Sequence, residues 1–283
     1  MKVVKTSKEL ELVLSPLRSS AKKIGFVPTM GALHEGHISL LKKAISENEL
    51  VICSIFVNPT QFNDPKDLEK YPRPIEKDIE LLESAGCHCL FMPEVDEIYG
   101  EDEIWEHSFG ELEHIWEGAM RPGHFKGVGQ VVYKLFNIVK PTNAYFGQKD
   151  FQQTLIIKKL INEFHLSTTL HICPIVREEN GLAMSSRNGR LNAIERNSAG
   201  NIYKALENTR LSLLDGITDL QYLKKQAVNI LNTTPSIKIE YVDIVNPDTL
   251  ETIDNIGQNS ALLMIIAVRL GSTRLIDNMY IRA

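Results

Sequence analysis

Two histidines stand three residues apart in the segment Met30-Gly31-Ala32-Leu33-His34-Glu35-Gly36-His37. Residues at this spacing share one face of a helix, so His34 and His37 are expected to project together from a first helical turn. The N-terminus of such a helix also offers unpaired backbone N–H groups and the positive end of the helix dipole. The segment therefore predicts a site for a polyphosphate, and the alternative is a surface turn with two solvated histidines.

The same segment does not match the better-known nucleotide and metal motifs. Gly31 and Gly36 have the glycine spacing of a P-loop, but His37 and Ile38 replace the lysine and hydroxyl residue that should follow. The Rossmann G-x-G-x-x-G is absent, and the histidines are too close together for a zinc-protease motif. Cys87-His88-Cys89 lacks the C-x-x-C spacing of a zinc knuckle, so a buried strand is the preferred interpretation there.

Three further polar segments carry groups that suit phosphate or a small polar substrate. Phe146-Gly147-Gln148-Lys149-Asp150 places a lysine at a helix N-terminus, where the dipole disfavours a cation unless an anion is bound. Met184-Ser185-Ser186-Arg187 offers hydroxyls and a guanidinium that can close over phosphates. The stretch Asn58–Asn63 offers amides and an aromatic ring for a small polar substrate. The structural alternatives are an exposed lysine, a flexible hinge and an ordinary Asn-Pro turn, respectively.

The elements that must position these segments alternate between strand and helix over about the first 175 residues. Ile24–Val27 and Leu50–Val57 are apolar runs typical of strands that are covered on both faces. Helical spacing of apolar residues lies between them, from Ile38 to Ile45. This alternation predicts an α/β domain with a doubly wound, Rossmann-like parallel sheet, in which ligands bind outside the carboxyl ends of the strands.

The pattern changes after Arg190. Two helical stretches, at residues 194–214 and 218–231, precede three strands that begin at Ile237, Ala261 and Arg274. Helices followed by strands predict a smaller C-terminal α+β domain. We therefore predict a nucleotide-binding domain at residues 1–176 and a lid-like domain at residues 177–283.

The overall composition limits the kinds of partner. The 283 residues include 31 Lys and Arg against 36 Asp and Glu, a formal net charge of −5. An acidic balance gives no general attraction to nucleic acids or anionic lipids, so any anion site must be built locally. The region after Met1 lacks an apolar signal segment, and the longest apolar run, Ala261–Val268, is far shorter than the ~18 residues of a membrane helix. A cytoplasmic location is expected.

Six segments, in this order along the chain, resemble the pantothenate synthetase (pantoate–β-alanine ligase) family. They are FVPTMGALHEGH, FVNPTQF, YPRP, GAMRPGHFKGV, AYFGQKDFQQ and GLAMSSRN. That family belongs to the nucleotidyltransferases with a His-x-Gly-His signature and a second, flexible signature, which residues 34–37 and 184–187 match. The resemblance implies an ATP-dependent ligase of pantothenate and coenzyme A biosynthesis. Pantoate would attack the α-phosphate of ATP to give an enzyme-bound pantoyl adenylate and pyrophosphate, and β-alanine would then displace AMP.

The resemblance also implies roles for individual residues. The expected ATP contacts are residues 30–37, residues 147–150 (Gly147, Gln148, Lys149 and Asp150), Val176, and residues 184–187 (Met184, Ser185, Ser186 and Arg187). The expected catalytic residues are His34, His37, Lys149, Ser186 and Arg187, with His37 as the acid that aids the leaving phosphate. Gln61 and Gln153 are expected to bind pantoate, and Gln61 also to reach β-alanine. Magnesium is expected to bind through the ATP phosphates, without a protein metal site or a tightly bound organic cofactor, and a homodimer through the N-terminal domain is implied.

Two departures from the family pattern and several alternatives stand beside this interpretation. Gln148 lies where many relatives carry Glu, and Gly189-Arg190 follows the serine motif where relatives often have bulkier residues. The alternatives are another adenylate-forming nucleotidyltransferase and a nucleotide-binding regulator without turnover; an RNA-charging role is disfavoured by the acidic balance. The residues also leave open how the β-alanine amine, with a pKa near ~10 as for lysine, loses its proton. Either the neutral amine binds or the adenylate phosphate accepts the proton.

Overall fold

The structure is a computed structural model that describes residues 1–18, 20–100, 103–257 and 261–282. The described residues form two compact units. The first unit comprises Met1–Gly147 and Gln152–Cys173, and the second comprises Gln148–Phe151 together with the chain from Pro174 onward. The chain enters the second unit at Pro174, and residues 148–151 also belong to that unit, which the sequence pattern does not reveal. The domain border after residue 176 stays a prediction.

The described part of the first unit contains a six-stranded parallel sheet. Its order, β1-β4-β3-β2-β5-β6, reverses direction between β2 and β5, as in a doubly wound fold. Residues 30–37 follow β2 in the chain, and residues 148–150 follow β5. The strands are β1 (Lys2–Val4), β2 (Ile24–Thr29), β3 (Leu50–Ile55), β4 (Cys89–Phe91), β5 (Asn143–Gly147) and β6 (Thr169–Cys173).

Helices cover both faces of this sheet, because its strands bury side chains in two directions. Successive side chains of a strand point to opposite faces. Ile52 of β3 packs in one core cluster, whereas its neighbours Val51 and Cys53 pack in the other. The helices are α1 (Ser7–Arg18), α2 (Glu35–Glu47), α3 (Pro65–Glu69), α4 (Ile75–Ser84), α5 (Val95–Ile98), α6 (Trp116–Met120), α7 (His124–Val139) and α8 (Phe151–Glu163), the last beginning with a residue of the second unit.

The second unit packs helices on an antiparallel sheet. Its three described strands lie in the order β7-β8-β9, and residues 271–272 join the last two. Leu206 of α10, Leu223 of α11 and Met264 of β8 share one buried cluster. The elements are α9 (Ala193–Ser198), α10 (Asn201–Leu214), α11 (Leu220–Asn232), β7 (Ile237–Val245), β8 (Ala261–Leu270) and β9 (Thr273–Arg282). The predicted fold class, a Rossmann-like sheet domain with a smaller C-terminal α+β domain, is confirmed.

Three details of the predicted elements are wrong. The single helix predicted over residues 194–214 is interrupted between α9 and α10, where a side chain on Gly200 would collide with the Asn180 carbonyl oxygen at 2.4 Å. Residues 58–74, whose polar sequence predicts a long loop, contain α3 and a 3₁₀ turn at Pro59–Gln61. Strand β1 has no counterpart in the prediction, because three residues are too few for a periodic signal.

The cysteines lie inside the structure as unpaired thiols. All four of them, Cys53, Cys87, Cys89 and Cys173, are buried. Burial raises the pKa of each thiol, that of Cys89 to about 11.

Within the described ranges, no helix has the length and apolar character that a membrane crossing requires.

Candidate active site

The loop between β2 and α2 has a backbone that only certain residues tolerate. Gly31 and Ala32 both adopt positive φ angles, +77° and +50°. A β-carbon on Gly31 would also meet a carboxylate oxygen of Asp78 at 3.0 Å and a methyl carbon of Ile55 at 3.1 Å. Glycine at position 31 therefore serves this tight turn, and the histidine loop, defined here as residues 30–37, leads from it into α2.

The two histidines of this loop cap the helix reciprocally. His34 is the N-cap residue, and its ring Nδ1 accepts a hydrogen bond from the backbone N–H of Gly36 at 3.1 Å. The Nδ1 of His37 accepts from the backbone N–H of His34 at 3.3 Å. With Nδ1 acting as an acceptor, a neutral ring carries its hydrogen on Nε2. The rings lie side by side, with centroids 4.1 Å apart, so the expected joint projection of the pair is confirmed.

A buried carboxylate holds the same loop from another helix. Asp78 of α4 is fully buried, and its two carboxylate oxygens accept from the backbone N–H groups of Ala32 and Leu33, both at 2.8 Å. Burial raises the pKa of Asp78, although the two N–H bonds act in the opposite direction. Sequence patterns do not reveal this residue, because a lone Asp in a helix carries no signal and its partners lie more than forty residues away in the chain.

A buried polar network follows β3. The side chain of Asn58 donates to the side-chain oxygen of Gln61 and to the backbone carbonyl of Gly127, each at 3.1 Å. It also accepts from the Tyr99 hydroxyl at 2.7 Å. The Gln61 amide nitrogen lies 3.0 Å from the Met30 sulfur, so this network reaches the histidine loop. Asn58 thus has a structural role that fixes Gln61, the residue expected to bind substrate.

Helix α7 approaches this network closely at its first turn. A β-carbon on Gly127 would stand 2.5 Å from the Thr60 carbonyl oxygen and 2.8 Å from the Gln61 nitrogen. The ring Nδ1 of His124 lies 2.8 Å from the Gln61 carbonyl oxygen. The backbone of Gln61 is therefore held from α7 while its side chain is held by Asn58.

The adjacent glutamines of α8 differ in their surroundings. Gln152 is buried, accepts from the Glu117 N–H at 3.0 Å and donates to the carbonyls of Leu112 and Ile115 at 2.8 and 2.9 Å. Gln153 is only half-buried. Gln152 is therefore a structural residue, and its neighbour is the one of the pair whose exposure permits contact with a ligand.

In the second unit, Lys149 lies in a short 3₁₀ turn, Gln148–Asp150. The side-chain nitrogen of Asn278, on β9, donates to the carbonyls of Gln148 and Lys149, each at 3.0 Å. The Gln148 amide in turn donates to the Asn278 side-chain oxygen at 3.1 Å. The turn that carries the lysine is thus tied to a strand more than a hundred residues away in the sequence.

The serine motif of the same unit follows a small hairpin. Residues 177 and 183 pair, and the Met184 N–H donates to the Val176 carbonyl at 3.0 Å. The Ser185 hydroxyl caps the 3₁₀ turn Ser186–Arg190 by accepting from the Arg187 N–H at 3.3 Å. Ser185 consequently has a local structural task. Ser186 is half-buried, as is Arg187.

The base of this hairpin is fixed by a two-point ion pair. The Arg177 guanidinium contacts the carboxylate of Asp277, the residue before Asn278, at 2.5 and 3.0 Å. It also lies over the Tyr203 ring, 4.3 Å from its centroid. Parallel contacts of this kind fix orientation as well as position. Two consecutive residues of β9 therefore hold the two segments of the second unit that were expected to contact ATP.

The predicted site residues thus fall into two sets, one in each unit. The first unit contains the histidine loop, Gln61, Gly147 and Gln153, and it brings Gln61 to Met30. The second contains Gln148, Lys149, Asp150, Val176 and residues 184–187, and it ties Val176 to Met184. The supporting residues that the sequence analysis missed are Asp78, Asn278 and the pair Arg177–Asp277, all of which act across long separations in the chain.

Comparisons with known proteins agree over nearly the whole chain. The family model described as "Pantoate-beta-alanine ligase" matches residues 2–280. A protein of Azobacteroides pseudotrichonymphae named pantothenate synthetase is 48% identical over 279 residues, which are 98% of this chain and 99% of that protein. A pantothenate synthetase of Bacteroides fragilis is 46% identical over 278 residues, 98% of each chain.

Solved structures show the same architecture. The pantothenate synthetase of Thermus thermophilus superposes with a TM-score of 0.91 at 39% identity, and the match covers 99% of both chains. The pantoate-β-alanine ligase of Francisella tularensis, solved in complex with β-γ ATP and β-alanine, gives a TM-score of 0.81 at 38% identity. That match covers 99% of this chain and 97% of the Francisella chain.

These matches define the class of protein first: the chain is an enzyme, and its class is ligase. More particularly, it belongs to the pantoate–β-alanine ligase family. The reaction that it catalyses joins pantoate to β-alanine.

Proposed function

We propose that this ligase condenses pantoate with β-alanine at the expense of ATP, through an enzyme-bound pantoyl adenylate, with release of pyrophosphate and AMP. The observation that carries the adenylate step is the reciprocal His34–His37 cap at the start of α2, immediately after the sheet strand at which the strand order reverses. The Francisella relative, solved with β-γ ATP and β-alanine, supports ATP and the amine as ligands of this family.

In the first step the pantoate carboxylate attacks the α-phosphate. A carboxylic acid with a pKa near ~4 is already ionised at neutral pH, so this step requires no base. Catalysis then consists of positioning and of stabilising the charge that develops on the phosphates. The backbone N–H groups of the histidine loop are largely engaged with Asp78 and with the two histidine rings, so the loop contributes the positive end of the α2 dipole. His34 and His37 supply Nε2–H donors, with His37 aiding the departing pyrophosphate.

The remaining charge stabilisation comes from the second unit. Lys149 and Arg187 provide cations, and Ser186 provides a hydroxyl, for the α- and β-phosphates. Gln148, Asp150, Val176, Met184 and Ser185 belong to the same proposed ATP-binding set. As part of this proposal, residues 177–283 act as a lid that protects the adenylate from water.

The acid and the amine bind through amides. Gln61 and Gln153 hold pantoate, and Gln61 also contacts β-alanine. The fixed orientation of Gln61, held through its side chain by Asn58 and through its backbone carbonyl by His124, supports this role because a preorganised donor loses little entropy on binding. In the second step the β-alanine amine attacks the acyl carbon, the acyl–phosphate bond breaks, and AMP leaves.

Magnesium accompanies ATP in this proposal. Among the residues that the structure describes, no three His, Cys, Asp or Glu side chains come together as a metal site. The histidine loop and Lys149 supply donors suited to anions. We expect a Mg²⁺ ion to be held chiefly by phosphate oxygens and waters, where it would neutralise phosphate charge.

The location and the assembly of the chain complete the proposal. We place the ligase in the cytoplasm, since ATP and the small polar substrates are cytoplasmic metabolites, and we expect a homodimer through the first unit. Analytical ultracentrifugation of the purified chain tests the second point, and a single species of 32.0 kDa would contradict it.

Exchange of labelled pyrophosphate into ATP tests the adenylate step directly. We expect exchange that depends on pantoate and does not need β-alanine, and release of AMP only when both substrates are present. Exchange that requires β-alanine would contradict a discrete adenylate. Exchange with another carboxylic acid but not with pantoate would overturn the assigned substrate.

A further inference from the structure

Asn278 makes a buried contact to the turn that carries Lys149. Its side-chain nitrogen donates to two consecutive backbone carbonyls, of Gln148 and Lys149, each at 3.0 Å. Its side-chain oxygen accepts from the Gln148 amide at 3.1 Å. Asn278 itself is 3% exposed, and its partners Gln148 and Lys149 are half-buried, so these hydrogen bonds are partly shielded from water.

Two carbonyls held by one amide group fix two successive peptide planes. The direction of the Lys149 side chain depends on those planes, because the Cα–Cβ bond is set by the backbone on either side of it. The 3₁₀ turn has only three residues, and its hydrogen-bond geometry is poorer than that of the α-helix α8 into which it leads. Asn278 therefore adds contacts that hold the peptide planes on both sides of Lys149.

The geometry is specific for asparagine at position 278. Its side chain supplies two N–H donors to the carbonyls and one oxygen to the Gln148 amide. Aspartate would place an oxygen against both carbonyls, and alanine would leave both without this partner. A carbonyl that is partly shielded from water and loses its donor costs free energy, so the turn is expected to rearrange in either variant.

We propose that Asn278 is a positioning residue for adenylate formation: it orients Lys149 toward the phosphates by holding the two carbonyls of the Lys149 turn. This inference rests on the proposed role of Lys149 and adds to it a residue that does not touch the substrate.

A double-mutant cycle on pantoate-dependent pyrophosphate–ATP exchange tests the proposal. We expect Asn278→Ala to lower the exchange rate about tenfold, mainly in kcat, when Lys149 is present. In the Lys149→Ala background the same change should lower the remaining rate less than about twofold, because there is no longer a side chain to orient. A tenfold loss in both backgrounds would overturn the proposal, since the two residues would then act independently.

Hydrogen exchange of the peptide that spans residues 148–151 gives a second measure that does not depend on activity. Amide hydrogen exchange at residues 148–151 should be faster in Asn278→Ala than in the wild-type chain. Leu275→Ala, at a buried apolar position of the same strand, is the matched control. It should lower the melting temperature without changing the coupling to Lys149 or the exchange at 148–151.

These measurements separate the two levels of the proposal. If the unchanged chain shows no pantoate-dependent exchange, the proposed adenylate step fails, and the hydrogen-exchange comparison still decides whether Asn278 holds the turn. Unchanged amide exchange at residues 148–151 in Asn278→Ala would overturn the positioning role, whatever the result with ATP.

Discussion

The histidine loop of the first unit and the Lys149 turn of the second unit are held by opposite kinds of partner. The loop begins a long helix and has surplus N–H groups, which are met by acceptors: the Asp78 carboxylate and the ring nitrogens of His34 and His37. The turn is held through its carbonyls by a donor, the amide of Asn278. In the histidine loop, side-chain acceptors thus satisfy backbone N–H groups, and in the Lys149 turn a side-chain donor satisfies backbone carbonyls.

The chemical nature of the two partners makes the loops differ in their response to pH. Asp78 is titratable, and its burial raises its pKa above the ordinary value of 3.8. The asparagine amide has no proton to gain in the same range. Acidification is therefore expected to act directly on the anchor of the histidine loop. The anchor of the Lys149 turn can respond only through Asp277, the neighbouring carboxylate, which accepts from the Asn278 N–H at 2.8 Å and whose pKa is also raised by burial.

The largest expected effect on activity comes from Lys149, the cation of the Lys149 turn in the second unit. Lys149→Ala should lower the rate of pantoate-dependent pyrophosphate–ATP exchange by on the order of 10²–10³, the usual effect of removing one strong charge stabiliser. The control is Lys225→Ala, at an exposed position on α11 of the same unit, and it should catalyse pyrophosphate–ATP exchange at the normal rate. Near-normal exchange in the Lys149 variant would remove this residue from the mechanism.

The anchor of the histidine loop should have the next largest effect. In the native chain, both carboxylate oxygens of Asp78 accept from backbone N–H groups. Asp78→Asn places an NH₂ group against one of these N–H groups, and an unsatisfied buried donor costs about 1–3 kcal/mol. We expect the exchange rate to fall about 10- to 100-fold. Glu76→Gln, exposed on the same helix, should leave the rate unchanged.

The pH dependence of this anchor has a defined sign. The native chain binds a proton at Asp78 more readily than the unfolded chain, so lowering the pH through the raised pKa adds to folding stability from this group. Exchange activity should nevertheless fall there, because a protonated Asp78 loses an acceptor. Circular dichroism should show folded protein where activity has declined, and unfolding in step with the activity loss would contradict this assignment.

The two glutamines after the Lys149 turn, Gln152 and Gln153, allow a structural role to be compared with a role in binding the substrate. Gln152→Ala removes three hydrogen bonds of a buried side chain, one of them buried and two part-buried, and should lower the free energy of unfolding by about 2–3 kcal/mol. Gln153→Ala should leave stability within about 0.5 kcal/mol and raise the KM for pantoate. Denaturant titration and initial rates separate the two outcomes, and an unchanged KM in the second variant would remove Gln153 from the pantoate site.

The smallest expected effect lies in the serine motif. Ser185→Ala removes an N-cap and should lower the free energy of unfolding by about 1 kcal/mol. Ser185 also belongs to the proposed ATP-binding set, so some loss of pyrophosphate–ATP exchange is expected, but a smaller one than in Ser186→Ala. Ser186→Ala removes the hydroxyl proposed to contact the phosphates and should leave the free energy of unfolding nearly unchanged. Equal rate losses in the two variants would show that Ser185 is more than a cap.

The sequence predicts most of the fold and the positions of the active loops. Strand β3 was predicted from an apolar, β-branched run, and both core clusters that it joins require such a run. The joint projection of His34 and His37 followed from their spacing. Asp78 and Asn278 escaped prediction because each acts on backbone groups far away in the chain, and no local pattern marks such a partner. The roles of the site residues stay predictions.

The burial of the cysteines has a practical consequence for anyone who wishes to follow this ligase with a probe. A thiol reacts as its thiolate, and these four are both enclosed and held in their protonated form. The native thiols of the folded chain are consequently expected to react slowly with maleimides. A single cysteine introduced on the surface can carry a fluorophore or a spin label without prior removal of the native thiols.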